Sequence, residues 1–189
     1  TIDITSSTAP VVRATTTLAS VYTTGNIVVQ GDRLYVRASS GIKIYDCSDP
    51  LRLRLLGTHS ITNDRRFAVQ GSYLYYLDGL TDVIRVLNVT DPAAIFEVTS
   101  YAITDPTDIS IQGSMMAVTR SDGATIDIID IANPTTLRFI GSVPTPSLGV
   151  LFTKVLIRGR YLFTNSINLS SQYYMRVYDI GAPQSPALV

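Results

Sequence analysis

The sequence predicts an all-β fold made of repeated four-stranded antiparallel units. Three observations carry that expectation. A Gly-centred turn, an apolar run ending in Asp or Asn and a Pro-bearing turn recur in that order about every 42 residues. β-Branched residues dominate throughout. No stretch holds the 3.6-residue apolar period of a helix for three turns. Units of this length and strand number are the blades of a β-propeller.

Each unit opens on an apolar-x-Gly turn: Val29-Gln30-Gly31, Val69-Gln70-Gly71, Ile111-Gln112-Gly113 and Ile157-Arg158-Gly159. The runs that follow are Leu34-Tyr35-Val36, Leu74-Tyr75-Tyr76, Met115-Met116-Ala117-Val118 and Leu162-Phe163. Gly tolerates the positive φ that a tight hairpin demands, so each pair reads as strands A and B. Strand C ends on an Asx residue: Ile42 to Asp46, Ile84 to Asn88, Ile126 to Asp130 and Met175 to Asp179. That side chain suits a turn in which it accepts from backbone just ahead of it. Asp49-Pro50, Asp91-Pro92 and Asn133-Pro134 then bend the chain into strand D.

The N-terminus enters this pattern in mid-unit. Ile2-Asp3-Ile4 and Ala9-Pro10-Val11-Val12 align with Tyr178-Asp179-Ile180 and Ser185-Pro186-Ala187-Leu188. The expected organisation is one domain: a half blade over 1–20, then blades over about 21–59, 60–103, 104–145 and 146–189. Propellers close with about 4 to 8 blades, so three outcomes are open. The chain is a cut from a longer one, a five-part ring with one thin blade, or a piece completed by another subunit. Its start inside a blade favours processing or truncation of a longer precursor.

The consensus of Gly31 to Pro50, Gly-x-x-apolar-Tyr and then Gly-apolar-x-Ile-Tyr-Asp-x-Ser-Asp-Pro, resembles the LVIVD repeat of bacterial and archaeal extracellular proteins. The resemblance covers essentially the whole chain and implies propeller blades, most of whose carriers have no assigned activity. The last repeat departs most, with Gly181-Ala182-Pro183 where a Ser-Asp-Pro run is expected. The absence of Trp argues against WD40 repeats, and the absence of a Gly-Gly pair against kelch. The surface-layer YVTN repeat is the nearer rival.

Composition bounds the function. Net charge is zero and charged residues make up 16% of the chain, which argues against nucleic acid or an anionic membrane as partner. No apolar run approaches the roughly 18 residues that span a bilayer, so no membrane insertion is expected. Abundant Thr and Ser, with Lys only at 43 and 154, fit an extracellular or cell-surface protein.

The spacings point to one face. From the Asx residue of strand C to the small residue of strand D is always 11: Asp3 to Ala14, Asp46 to Gly57, Asn88 to Thr99, Asp130 to Gly141. From there to the next hairpin Gly it is 17, 14, 14 and 18, and from that Gly to the next Asx residue 15, 17, 17 and 20. In an up-and-down meander the A–B and C–D links share one rim, and the D–A and B–C links share the other. All the variation therefore falls on the D–A/B–C face, where binding groups ride on loops over a fixed scaffold. The candidates there are Asp64, Arg65 and Arg66 in one D–A loop and Asp105 and Asp108 in the next. Ser147, Leu148 and Lys154 come from the last D–A loop, with Asn168, Gln172 and Tyr173 from the expanded B–C loop. The plain alternative is that these are ordinary solvated residues, with Asp64 paired to an Arg of its own or the next blade.

Catalytic signatures are sparse. Cys47 is the sole cysteine, so neither an internal disulfide nor a multi-Cys metal site is available. Its repeat equivalents Ile4, Val89, Ile131 and Ile180 mark it as a small core hydrophobe. His59, the sole histidine, has no Gly-x-Ser-x-Gly elbow to serve. Asp127 and Asp130 look paired, but Asp130 is the turn residue and Asp127 takes the place of Lys43, Arg85 and Arg176, a position expected to face solvent. Asp122-Gly123 reads as a turn without a calcium loop around it. Asn88-Val89-Thr90 and Asn168-Leu169-Ser170 are glycosylation triplets of the kind chance supplies. No cofactor or metal is expected. The leading expectation is a non-catalytic binding or scaffold module for a protein or glycan partner. The alternatives are a hydrolase or lyase using Asp64, Asp105 and Asp108, and a segment of a larger ring or filament joined by a further propeller segment or subunit.

Overall fold

A computed structural model describes residues 1–6, 8–15, 17, 26–61, 64–123, 125–145 and 150–189, the side chains of 64 and 65 excepted. Among the described residues there is no helix. The strands follow the repeat. A two-stranded sheet, β1 (Ile2–Asp3) and β2 (Val11–Val12), comes first. The first blade is β3 (Ile27–Gln30), β4 (Arg33–Ala38), β5 (Gly41–Asp46) and β6 (Arg54–His59). The second is β7 (Asp64–Gln70), β8 (Tyr73–Asp78), β9 (Val83–Asn88) and β10 (Phe96–Ala102). The third is β11 (Pro106–Gln112), β12 (Met115–Arg120), β13 (Thr125–Asp130) and β14 (Arg138–Pro144). The fourth is β15 (Leu151–Arg158), β16 (Tyr161–Ile167), β17 (Tyr173–Asp179) and β18 (Ala187–Leu188). Every blade is an antiparallel meander in chain order, as the sequence predicts. The hairpin glycines Gly31, Gly71, Gly113 and Gly159 have φ between 56° and 61°, the left-handed region that the A–B turn requires.

The constant 11-residue spacing has a structural cause. Ile44 pairs with Gly57 while Tyr45 pairs with Leu55, so Leu56 is skipped. The same one-residue offset skips Val98 in β10 and Ile140 in β14. Each full-length outer strand thus carries a β-bulge just before its small residue. A Cβ on Gly57 would lie 1.8 Å from the Pro92 carbonyl oxygen, and one on Gly141 would lie 1.9 Å from that of Pro183. The small residue is where strand D meets a Pro-bearing turn.

The Asx turns form as expected. Asp3, Asp46, Asn88, Asp130 and Asp179 each accept the backbone N–H two residues on. An arginine clip, absent from the sequence reading, joins four of them: Arg13 to Asp3, Arg54 to Asp46, Arg138 to Asp130 and Arg160 to Asp179. Hydrogen bonds from Ser48 and then Arg54 hold the Asp46 carboxyl down at about 2, and Asp3, Asp130 and Asp179 are likewise lowered. The divergent Gly181-Ala182-Pro183 keeps the turn: Ser185 N–H donates to the Ala182 carbonyl just as Arg52 N–H donates to that of Asp49.

The described chain falls into two compact units, residues 1–62 with 91–95, and residues 63–90 with 96–189. In the second unit, β7, β11 and β15 are neighbours, so strand A is the innermost strand of each blade. Apolar side chains fill the space between its blades. Tyr75, Leu77, Ile84 and Val86 of the second blade pack on Met116, Val118, Ile129 and Ile131 of the third. Ile126, Ile128 and Val143 of the third pack on Phe152, Val155, Ile157 and Tyr178 of the fourth. Burying side chains of this size contributes about 1.5–3 kcal/mol each, so these interfaces dominate the unit's stability.

Two sequence expectations need correction. The Lys43, Arg85, Asp127 and Arg176 row is half-buried, not solvent-facing. Arg85 bridges Asp78 and Glu97 at 3.0 Å each, and Asp127 pairs with Arg120 at 3.8 Å. Alternating sign at this row reflects a changing ion partner rather than free hydration. Cys47 is half-buried too, not in the core, and burial followed by the charges of Asp32 and Asp46 raises its thiol pKa.

Candidate binding face

The links of the second unit meet on one rim, as the meander requires. Asp82, in the B–C link of the second blade, accepts Ile103 N–H on its carbonyl and Asp105 N–H on its carboxylate. Asp105, at φ 44°, in turn accepts Ser121 N–H on its carbonyl and the Ser121 hydroxyl on its carboxylate. Gly123 accepts Phe152 N–H and lies so close to Leu151 that a Cβ would come within 2.6 Å of it. The rim is therefore one hydrogen-bonded band across three blades, and Asp105 is a tie within it.

Several candidates lie in strands rather than loops. Asp64, Arg65 and Arg66 begin β7, with Asp64 opposite Asp78; the side chains of Asp64 and Arg65, like Ser147 and Leu148, lie outside the described residues. Asp108 is in β11, Lys154 in β15 and Tyr173 opens β17. Arg66, Asp108 and Lys154 occupy one repeat position on three adjacent innermost strands, which brings them together. The Asp108 carboxylate is buried, with Arg66 Nε 3.6 Å and Lys154 Nζ 3.4 Å from one oxygen. Its other oxygen accepts Val155 N–H at 3.0 Å. The same side of β11 continues the pattern: Ile157 N–H donates to Ser110 Oγ and Gly159 N–H to Gln112 Oε1. Three alternate side chains of one strand thereby satisfy three backbone donors of the next, which a buried N–H requires. Asp108 is a structural joint between blades, and it opens on a cleft of about 270 Å³ reaching Leu156, Asn165 and Met175.

The expanded B–C link, 168–172, is closed by Asn168. Its Oδ1 accepts Ser170 and Gln172 N–H, and its Nδ2 donates to Gln172 Oε1 and the Tyr174 hydroxyl. Asn168 is the clamp of the loop, and the side chain displayed at the tip is Leu169, 88% exposed. Tyr173 stands at the foot of the loop, 76% exposed. Sequence reading missed Leu169 because it sits in an insertion that no other repeat shares. It also missed a second cleft on this rim, about 250 Å³, lined by Thr107, Arg120, Ser121 and Thr153. Arg120 there pairs with Asp122, and its Nε has no partner among the described residues. Its equivalents Ala38, Asp78 and Ser166 differ, so the repeat gives no signal for it. No metal-binding group of His, Cys, Asp and Glu occurs among the described residues.

Comparison with known proteins fixes the fold. Residues 105–145 match the LVIVD repeat. No curated protein matches the chain. Among solved structures, a Lactobacillus plantarum protein aligns with TM-score 0.71 at 13% identity, over 86% of this chain and 55% of its own. A functionally unknown Desulfotomaculum acetoxidans protein aligns with TM-score 0.68 at 14% identity, over 87% and 54%. The WD40 domain of Toxoplasma gondii coronin aligns with TM-score 0.58 at 14% identity, over 84% and 44%. The chain spans about half the length of these solved proteins. It has the β-propeller fold and carries an LVIVD repeat.

Proposed function

We propose that this LVIVD-repeat propeller is a non-catalytic binding or scaffold module of the cell surface or extracellular space, contacting a protein partner through its D–A/B–C rim. The observation that carries the reading is the clamped 168–172 loop. Asn168 uses four hydrogen bonds to hold an exposed Leu169 beside an exposed Tyr173. A large apolar side chain displayed on a rigid loop loses little entropy on binding, and Tyr is enriched among interface anchors. Leu80, exposed in the B–C link of the second blade, extends the apolar character of the rim.

The hydrolase reading has less support. Asp108 is committed to two cations and a backbone N–H, and Asp105 to Ser121, so neither is placed as a free acid or base. The test is capture from culture medium with the intact chain against L169D and Y173A variants. A partner held by the intact chain and lost from both variants is the expected result. Equal capture by all three would end the reading, and capture reversed by soluble sugars would make the partner a glycan.

A further inference from the structure

We propose that the cleft between the β1–β2 sheet and the first blade is a strand-acceptor site for a two-stranded β-hairpin of the A–B type found in this chain's own blades. The β1–β2 sheet holds the places of strands C and D. Thr1 N donates to the Ala14 carbonyl at 2.6 Å, and the Thr1 hydroxyl donates to the Pro50 carbonyl. That seats the sheet against the C–D turn of the first blade, as Gly141 is seated against Pro183.

The inner half of the same flank is open. Ile27 and Val29 are each 62% exposed, whereas Phe67, at the position of Ile27, is 2% exposed and Ile157, at that of Val29, 3%. A cleft of about 430 Å³ runs there, lined by Ile27, Val29, Leu34, Cys47 and Leu53. Three of these positions are covered elsewhere in the chain. Met116, Ile131 and Leu137, the equivalents of Leu34, Cys47 and Leu53, pack in the cluster to which Tyr75 and Leu77 of β8 belong. What fits the cleft is therefore a strand B with large apolar residues at alternate positions, backed by a strand A.

The backbone is ready for it. Among the described residues β1 pairs with β2 on one side and with no strand on the other, and a strand edge of that kind offers its N–H and C=O groups to an added strand. Adding strands at such an edge gives affinity through main-chain bonds and specificity through alternate side chains. The commitment is to a hairpin of the repeat's own pattern, with apolar residues flanking a Gly turn.

Cys47 is the reporter, since its thiol lies in this cleft and is the sole one in the chain. A synthetic hairpin of residues 64–78 should slow the reaction of Cys47 with a thiol reagent at least tenfold at saturation. The I27D variant should show no such protection. In a second arm, residues 64–85 are fused directly ahead of Thr1, which aligns Val86 with Thr1 and preserves the register. The fusion should show the same tenfold protection and a raised unfolding midpoint. Unchanged Cys47 reactivity and midpoint in the fusion would overturn the proposal, as would equal protection by a scrambled peptide. Protection that rises with protein concentration alone would overturn it in favour of a second copy in the cleft.

Discussion

At the A–B/C–D end of the blades, five Asx residues do one job: each accepts the N–H two residues on, and four of them also hold an arginine. At the D–A/B–C end the described B–C links of the second, third and fourth blades each close differently. Asp78 caps the second blade's B–C link, a glycine at φ 60° turns the third, and Asn168 clamps the fourth. One end fixes where each blade meets its neighbour, so its geometry repeats. The other also ties blade to blade, through Asp82, Asp105 and Gly123, but by different groups at each junction, and it has diverged in length, charge and exposed apolar surface. Constancy in this repeat protein marks the packed end of each blade, and variation marks the end that displays side chains.

Three experiments test that contrast. The largest effect is expected at the variable end. Asp78 is buried, accepts from Leu80 and Thr81 N–H and pairs with Arg85 at 3.0 Å. Burial pushes its carboxyl up, but the bonds from Thr81 and Arg85 outweigh that and hold it below its usual range. Asp78→Ala leaves the half-buried Arg85 with Glu97 and the Thr81 hydroxyl but without its buried ion partner, and should cost about 3 kcal/mol in denaturant unfolding. A loss under about 1 kcal/mol would make this link as dispensable as ordinary loop surface.

At the constant end, Gly57→Ala drives a Cβ into the Pro92 carbonyl and should cost about 2 kcal/mol. Thr99→Ala, at the equivalent position that already carries a Cβ, should stay within about 0.5 kcal/mol. Equal costs would mean that the small residue is not what seats strand D.

The smallest effect is in pH dependence. The clipped carboxyls are lowered in the folded chain, so the unfolded chain takes up protons first as pH falls. Their stabilisation is complete above the usual carboxylate value of about 4 and fades as pH drops toward the folded value of about 2 for Asp46. Asp46→Asn keeps the turn acceptor, as Asn88 does, and should make the decline of the urea midpoint over that window shallower. An unchanged slope would remove Asp46 from the acid response.

Strand order, hairpin glycines and Asx turns were legible because the chain states each of them several times over. A turn read once is ambiguous, but four alignments at Gly31, Gly71, Gly113 and Gly159 are not. The joint at Asp108 was not legible, since its equivalents Arg66 and Lys154 read as unrelated loop charges until adjacent strands bring them within 4 Å. Cys47 was misplaced for a similar reason. Its equivalents Ile131 and Ile180 are covered by a neighbouring blade, and position 47 lies on an open flank. Leu169 is unique to one insertion, and a feature stated once leaves no pattern to read.

The one-residue offset in β6, β10 and β14 has a consequence beyond seating each strand. These are the outer strands of their sheets, and a regular outer strand would offer other molecules a template for cross-β growth. The skipped residue interrupts that template and adds local twist. At these three outer strands the flat, regular edge that cross-β growth requires is therefore broken.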